Sequence, residues 1–142
     1  MTARLAILAA AALGAAGVGL GAYQAHGLEQ QLVAWELPKD QVERRLHNAD
    51  VAVRFQILHA LALVGVGVLA QGRASSYLVI AAMLFTSGVV LFSGGLYTIV
   101  LYGPLLPAAI VPVGGLMLIL GWLFLGGYAA FGWDSNPVPR GR

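Results

Sequence analysis

The chain has 142 residues, of which 59% are hydrophobic and 10% are charged, and its formal net charge at pH 7 is +2. Soluble domains carry charged residues at about a quarter of their positions, so this composition excludes an ordinary soluble domain and predicts one small membrane domain. The absence of cysteine excludes disulfides, thiolate catalysis and cysteine-ligated metals, and a longest basic run of Arg44-Arg45 argues against nucleic-acid binding.

The first predicted element is a membrane helix over residues 5–25. Arg4 precedes an apolar run that carries no formal charge until Glu29, and this run is about one bilayer thickness long. A cleaved signal peptide has a similar pattern, but the run is longer than its usual apolar core, which favours an uncleaved helix. Gly17 and Gly21 lie four apart on one face, where small residues permit another helix to approach closely.

A polar segment, residues 27–50, follows the first span. Gly27 is predicted to end the first helix and Pro38 to occupy the first turn of a new one. Apolar residues then recur at spacings of 4, 3, 4 and 4, at Val42, Leu46, Ala49, Val53 and Ile57. This stripe predicts an amphipathic interfacial helix that continues into the next span, with Trp35 near the headgroups; a solvated connecting helix is the alternative.

Three further spans are predicted over residues 51–70, 77–101 and 108–131. The stretch 74–133 contains no Asp, Glu, Lys, Arg or His, and Pro104 and Pro107 interrupt it where a turn is needed. Residues 134–142 form a polar tail that we expect to be disordered. The predicted fold is therefore all-α, an integral membrane four-helix bundle.

Four spans place both chain termini on one side of the membrane. The basic residues near that side are Arg4, Arg73, Arg140 and Arg142, and those near the other side are Lys39, Arg44, Arg45 and Arg54. Because the two counts are equal, the positive-inside rule does not decide the orientation. The short turn at Arg73 and the short tails favour cytoplasmic termini.

Most of the unusual residues fall at one end of this bundle. An antiparallel arrangement brings together the end of helix one, the start of helix two, the end of helix three and the start of helix four. The resulting candidate ligand-binding or structural polar cluster consists of Gln24, His26, Arg54, Gln56, His59, Ser93 and Tyr97. Polar groups at membrane depth need a partner, so we expect His59 to bond to Tyr97, Ser93 or Gln24.

Several interpretations of the cluster remain open. His59 is a structural residue that fixes helix register in the favoured interpretation. The alternatives are a proton or substrate pathway with Tyr97, a haem or metal site with His26, and an interfacial enzyme. No catalytic triad, carboxylate pair, phosphate loop or metal motif is present, so no catalytic residue or cofactor is predicted. The residues predicted to serve helix packing are Gly17, Gly21, Gly94, Gly95, Pro112, Gly114 and Gly115.

Four short motifs resemble those of a known family. They are GAYQAHGL at 21–28, FQILHALA at 55–62, LFSGGLY at 91–97 and VPVGG at 111–115. In this order they resemble the domain-of-unknown-function family 423, whose members are small four-span bacterial inner-membrane proteins. The resemblance implies four helices and an inner-membrane location, and it brings no activity. Gln24 and Val111 depart from the family pattern, and the loop 29–50 is longer than the resemblance implies.

Three functional hypotheses follow from the sequence. The favoured one is a non-enzymatic accessory, assembly or self-associating membrane protein that uses its glycine-rich faces. The second is a small transporter or proton-conducting protein, and the third is a haem-, quinone- or lipid-binding module. The expected partners are the lipid bilayer and either a second copy or another membrane protein, with no nucleic acid.

Overall fold

The structure, a computed structural model, describes residues 3–71, 75–105, 107 and 109–132, and most of these residues are helical. The elements are α1 (Ala3–Tyr23), a π-helical turn (Gln24–Leu28), α2 (Glu29–Ala34), α3 (Lys39–Leu69), α4 (Ser76–Tyr102), α5 (Ile110–Gly127) and a second π-helical turn (Tyr128–Gly132). The all-α prediction is confirmed. Arg73 and the predicted tail 134–142 lie outside the described residues.

Within the described residues, four helical stretches are long and apolar enough to cross a membrane. They are Ala3–Ala34, Lys39–Leu69, Ser76–Tyr102 and Ile110–Gly132. Each stretch contains most of one span predicted from the sequence. Each is also long enough to span a bilayer core, which needs about 20 apolar residues in a helix. The length and composition of these four helices confirm the prediction of a four-helix membrane bundle.

The first helix does not end at Gly27, as the sequence predicted. The chain passes through the π-helical turn and stays helical to Ala34. Leu28 and Leu32 are fully buried on this extension, and that burial favours helix over a turn at Gly27. The helix ends instead at Ala34, and two residues later Glu36 takes the left-handed conformation, with a φ of 55°, that often follows a helix end.

The predicted amphipathic segment and the second span form one continuous helix, α3. Pro38 lies immediately before it and accepts hydrogen bonds from the backbone N–H groups of Gln41 and Val42. The apolar stripe faces inward: Val42 and Ala49 are buried in a small cluster with Leu28, Leu32 and Val100. The opposite face carries the ion pairs Asp40–Arg44 and Asp50–Arg54.

The helices pack mainly in the order α1, α3, α4, α5, so that α3 and α4 are central and α1 and α5 are outer helices. In the most apolar 18-residue stretch of each outer helix, 17% of the residues are buried, against 39% and 44% in the corresponding stretches of α3 and α4. The main core lies between all four, and it includes Ala10, Leu63, Val66, Leu78, Phe85, Val89, Leu118 and Tyr128.

Glycines lie at the closest contacts between helices. A Cβ atom at Gly114 would lie 2.4 Å from the Phe92 backbone nitrogen, and one at Gly95 would lie 2.9 Å from Val111 Cγ2, so both serve the α4–α5 contact. Gly115 makes ordinary contact with the Phe92 ring. The expectation for Gly94 is wrong, because a Cβ atom there meets nothing within 4 Å. Pro112 is exposed in the first turn of α5, where its missing N–H is tolerated.

Candidate functional site: a buried polar cluster

Gln56 connects three helices through its side-chain amide. Its Nε2 donates to the Leu13 carbonyl oxygen on α1 at 2.8 Å, and its Oε1 accepts a hydrogen bond from the Tyr97 hydroxyl on α4 at 2.9 Å. A carbonyl oxygen can only accept, so the amide NH₂ must face α1 and the amide oxygen must face α4. The side chain is 4% exposed, and these two bonds compensate for its burial.

Glycine makes the first of these bonds possible. A Cβ atom at Gly17 would lie 2.9 Å from Ile57 Cγ1 and 3.4 Å from Gln56 Nε2. A Cβ atom at Gly21 would likewise lie 3.2 Å from Val53 Cγ1. The helix that lies against this glycine face is therefore α3 of the same chain.

His59 is held at both ring nitrogens. Its Nδ1 lies 2.7 Å from the Phe55 carbonyl oxygen, and the Trp122 indole Nε1–H donates to its Nε2 at 3.2 Å. The carbonyl requires a proton on Nδ1 and the indole requires a lone pair on Nε2, so this geometry describes a neutral imidazole with its proton on Nδ1. The partner of His59 is thus Trp122 rather than the expected Tyr97, Ser93 or Gln24.

Aromatic rings surround this histidine. The Phe55 ring stacks at a centroid distance of 5.9 Å, Phe85 lies at 5.5 Å, and Trp122 lies edge-on at 6.1 Å. Phe85 and Trp122 also form a T-shaped pair at 5.2 Å. His59 is 5% exposed in this apolar surrounding, and its one lone pair is engaged by the indole, so it offers no coordination position to a metal or haem iron.

Ser93 differs from three other hydroxyl residues of α4. Thr86, Ser87 and Thr98 each donate to a backbone carbonyl three or four residues earlier. Ser93 is 1% exposed, and its Oγ has no hydrogen-bond partner among the described residues. A buried hydroxyl without a hydrogen-bond partner lowers the stability of a fold, so we expect the Ser93 hydroxyl to destabilise the bundle.

The predicted set of seven polar residues divides into two groups. Gln56, His59 and Ser93 are buried between helices, and Tyr97 joins them through Gln56. The remaining three are nearer the surface: His26 is exposed, Arg54 is exposed and paired with Asp50, and Gln24 is half-buried. Tyr97 and Gln24 both line a small apolar crevice of about 50 Å³ between α1, α3 and α4, and His59 does not reach it.

The sequence reasoning missed Trp122. Tryptophan prefers the membrane interface, yet Trp122 lies in the middle of an apolar run. An indole N–H at that depth needs an acceptor, and this requirement is the signal that could have identified the pairing with His59. Within the described residues, no three His, Asp or Glu side chains are placed to hold a metal ion.

Comparison with known proteins gives consistent results. The family model described as a protein of unknown function, DUF423, matches residues 20–115. A "UPF0382 membrane protein" of Staphylococcus haemolyticus is 39% identical over 108 residues, which cover 76% of this chain and 80% of that protein. The "UPF0382 inner membrane protein YgdD" of Escherichia coli is 34% identical over 125 residues, which cover 88% of each. No solved structure matches the chain.

Proposed function

The chain belongs to the DUF423 family of proteins of unknown function, and from this premise we propose that it is a non-enzymatic integral inner-membrane protein that acts by packing against another membrane polypeptide. The inner-membrane location follows that of the Escherichia coli relative, which is named an inner membrane protein. The proposed role is that of an accessory or assembly protein, or of a subunit that associates with its own copies.

The observation that carries the non-enzymatic proposal is the internal use of the buried polar groups. Gln56 uses its amide between α1 and α4, and His59 uses both ring nitrogens within the bundle. A catalyst or a conducting pathway needs at least one such group free to meet a substrate or a proton carrier. The contacts of these two residues instead support a register-fixing role.

The outer helix α1 supports the association part of the proposal. Its inward face, with Gly17 and Gly21, is already occupied by α3. Its other face is exposed and includes Ala11, Ala15 and Gly19, and a Cβ atom at Gly19 would meet nothing within 4 Å. Small residues spaced by four allow two membrane helices to pack closely, so this face suits a helix from outside the chain.

Single cysteines test this proposal cleanly, because the chain has none of its own. We expect Gly19→Cys to form a crosslinked species in native membranes, either at twice the mass of the chain or with another polypeptide. Gly14→Cys is the matched control, since its Cβ atom would lie inside the α1–α3 contact, 3.9 Å from the Ala60 Cβ. If Gly19→Cys remains as uncrosslinked as Gly14→Cys, association through this face is refuted.

We also propose that both termini lie in the cytoplasm. Four spans place the termini on one side, and the short turn that the sequence predicts at Arg73, together with the short tails, favours retention there. Fusing a reporter that is active in the cytoplasm, and separately one that is active in the periplasm, to the carboxyl terminus tests the proposal. Activity of the periplasmic reporter would reverse the orientation.

A further inference from the structure

An open cavity of about 380 Å³, with both polar and apolar residues in its lining, lies beside the carboxyl end of α4. One wall is a single face of α3 and carries Gln41, Arg44, Arg45 and Asn48. The other wall is the end of α4 and the turn that follows it, including Gly103. None of these residues takes part in the polar cluster around Gln56, so the cavity is a separate feature.

Arg45 is the residue that organises this cavity. Its Nη1 donates to the Val100 carbonyl oxygen at 2.9 Å, which fixes one edge of the guanidinium against the end of α4. A Cβ atom at Gly103 would lie 3.5 Å from Nη2, an ordinary contact distance, so the turn after α4 lies directly against the group. The guanidinium has five N–H donors, and in the described part of the chain no carboxylate lies within ion-pair distance of it.

The charges that surround the cavity are predominantly positive. Arg44 adds a second guanidinium, whose Nη1 is 2.7 Å from Asp40 Oδ2. Among the described residues, Asp40 is the single carboxylate paired with a residue of the wall. Gln41 and Asn48 add neutral amide donors. Two guanidiniums and one carboxylate leave a net positive charge, which favours an anion in the cavity.

The position of the cavity matches the headgroup region of a bilayer. Trp35 and Tyr102 are exposed and line a neighbouring groove at the same end of the bundle. Tryptophan and tyrosine at helix ends favour the membrane interface. Ile99 contributes an apolar side to the cavity, as a site that continues into lipid would require.

From these observations we infer that the cavity binds the phosphate group of an anionic phospholipid. Arginine forms paired hydrogen bonds with phosphate oxygens, and Arg45 is already held in place by the end of α4. The membrane is the source of the phosphate because the cavity lies at the interface and has an apolar side. The site thereby gives α3 and α4 a shared lipid contact.

Native mass spectrometry of the whole protein from mild detergent tests the inference, with phosphatidylglycerol and phosphatidylcholine of identical acyl chains as probes. We expect preferential retention of phosphatidylglycerol, reduced about five- to tenfold in Arg45→Gln and also reduced in Arg44→Gln. Arg54→Gln is the matched control, because Arg54 is exposed and does not line the cavity. Arg45→Gln also loses the bond to the Val100 carbonyl, so it could weaken lipid binding by loosening the end of α4. Arg44→Gln leaves that bond in place, so a loss of lipid in this variant reports the loss of the cationic group itself.

Three outcomes overturn the inference. The first is equal retention of the two lipids by the unaltered protein. The second is a loss in Arg54→Gln as large as the loss in Arg44→Gln, which would indicate general attraction to charge. The third is binding of inorganic phosphate without retention of phosphatidylglycerol, which would assign the cavity to a soluble anion.

Discussion

Trp122 donates its indole N–H to Nε2 of His59 over 3.2 Å and thereby joins α5 to α3 across the polar cluster. Apart from this contact, α5 packs mainly against α4. The pairing gives the outer helix a directional contact with a helix other than its main neighbour. Apolar packing alone specifies the rotation and depth of a membrane helix less strictly than a hydrogen bond with one donor and one acceptor.

Removing the indole should destabilise the bundle. Trp122→Phe keeps an aromatic ring but leaves the buried Nε2 lone pair of His59 without a donor, so we expect a loss of about 1–3 kcal/mol, seen as a lower melting temperature in detergent. Trp35→Phe is the control, because the indole N–H of Trp35 donates to no side chain or carbonyl among the described residues, whereas that of Trp122 donates to His59. In the double variant His59→Phe/Trp122→Phe the loss should be smaller than the sum of the single losses. Additive losses would show that the two side chains are not coupled.

Gln56 should matter more than Tyr97, although they share a hydrogen bond. Tyr97→Phe removes one donor and should cost about 1 kcal/mol, whereas Gln56→Leu removes the link to Leu13 and also strands the Tyr97 hydroxyl. Thermal unfolding of both variants in one detergent measures the difference, with the exposed Tyr102→Phe as control. A larger loss for Tyr97→Phe than for Gln56→Leu would contradict the three-helix bridge.

The fold could be predicted because its signals are strong and local. A charge-free stretch of sixty residues with two prolines near its middle specifies two membrane helices and a turn. The apolar stripe from Val42 to Ile57 likewise specified the inward face of α3. The prediction that the first helix ends at Gly27 was wrong because glycine permits a turn without requiring one. The burial of Leu28 and Leu32 favours a continued helix.

The contacts of the site could be predicted only in part. Gln56 and His59 were identified because polar groups at membrane depth need partners, but the partner depends on the relative depth of separate helices. Trp122 reaches His59 only in one register of α5 against α3, and no short sequence pattern encodes that register. The error at Gly94 has the same origin: adjacent residues point about 100° apart on a helix, so Gly95 faces Val111 while Gly94 faces open space.

Removing the Ser93 hydroxyl is expected not to lower the stability of the protein, unlike the other substitutions at buried polar residues. Because its buried hydroxyl has no partner among the described residues, Ser93→Ala should leave stability unchanged or raise it by up to about 1 kcal/mol. Ser87→Ala is the matched control on the same helix, since its hydroxyl donates to the Met83 carbonyl. A clear drop in melting temperature for Ser93→Ala would mean that the hydroxyl is bonded in the membrane.

Gly114 and Gly94 form a matched pair for the α4–α5 contact. In Gly114→Ala the new Cβ atom would lie 2.4 Å from the Phe92 backbone nitrogen, so the helices must separate, and we expect a loss of about 1–3 kcal/mol. In Gly94→Ala the methyl group meets open space, and better helix propensity should leave the protein within about 1 kcal/mol of the unaltered chain, on the stable side. Melting temperatures of the two variants in the same detergent give the comparison. Equal losses would mean that Gly94 also faces a neighbouring helix in the assembled protein, whereas a loss confined to Gly114 locates the close contact between α4 and α5.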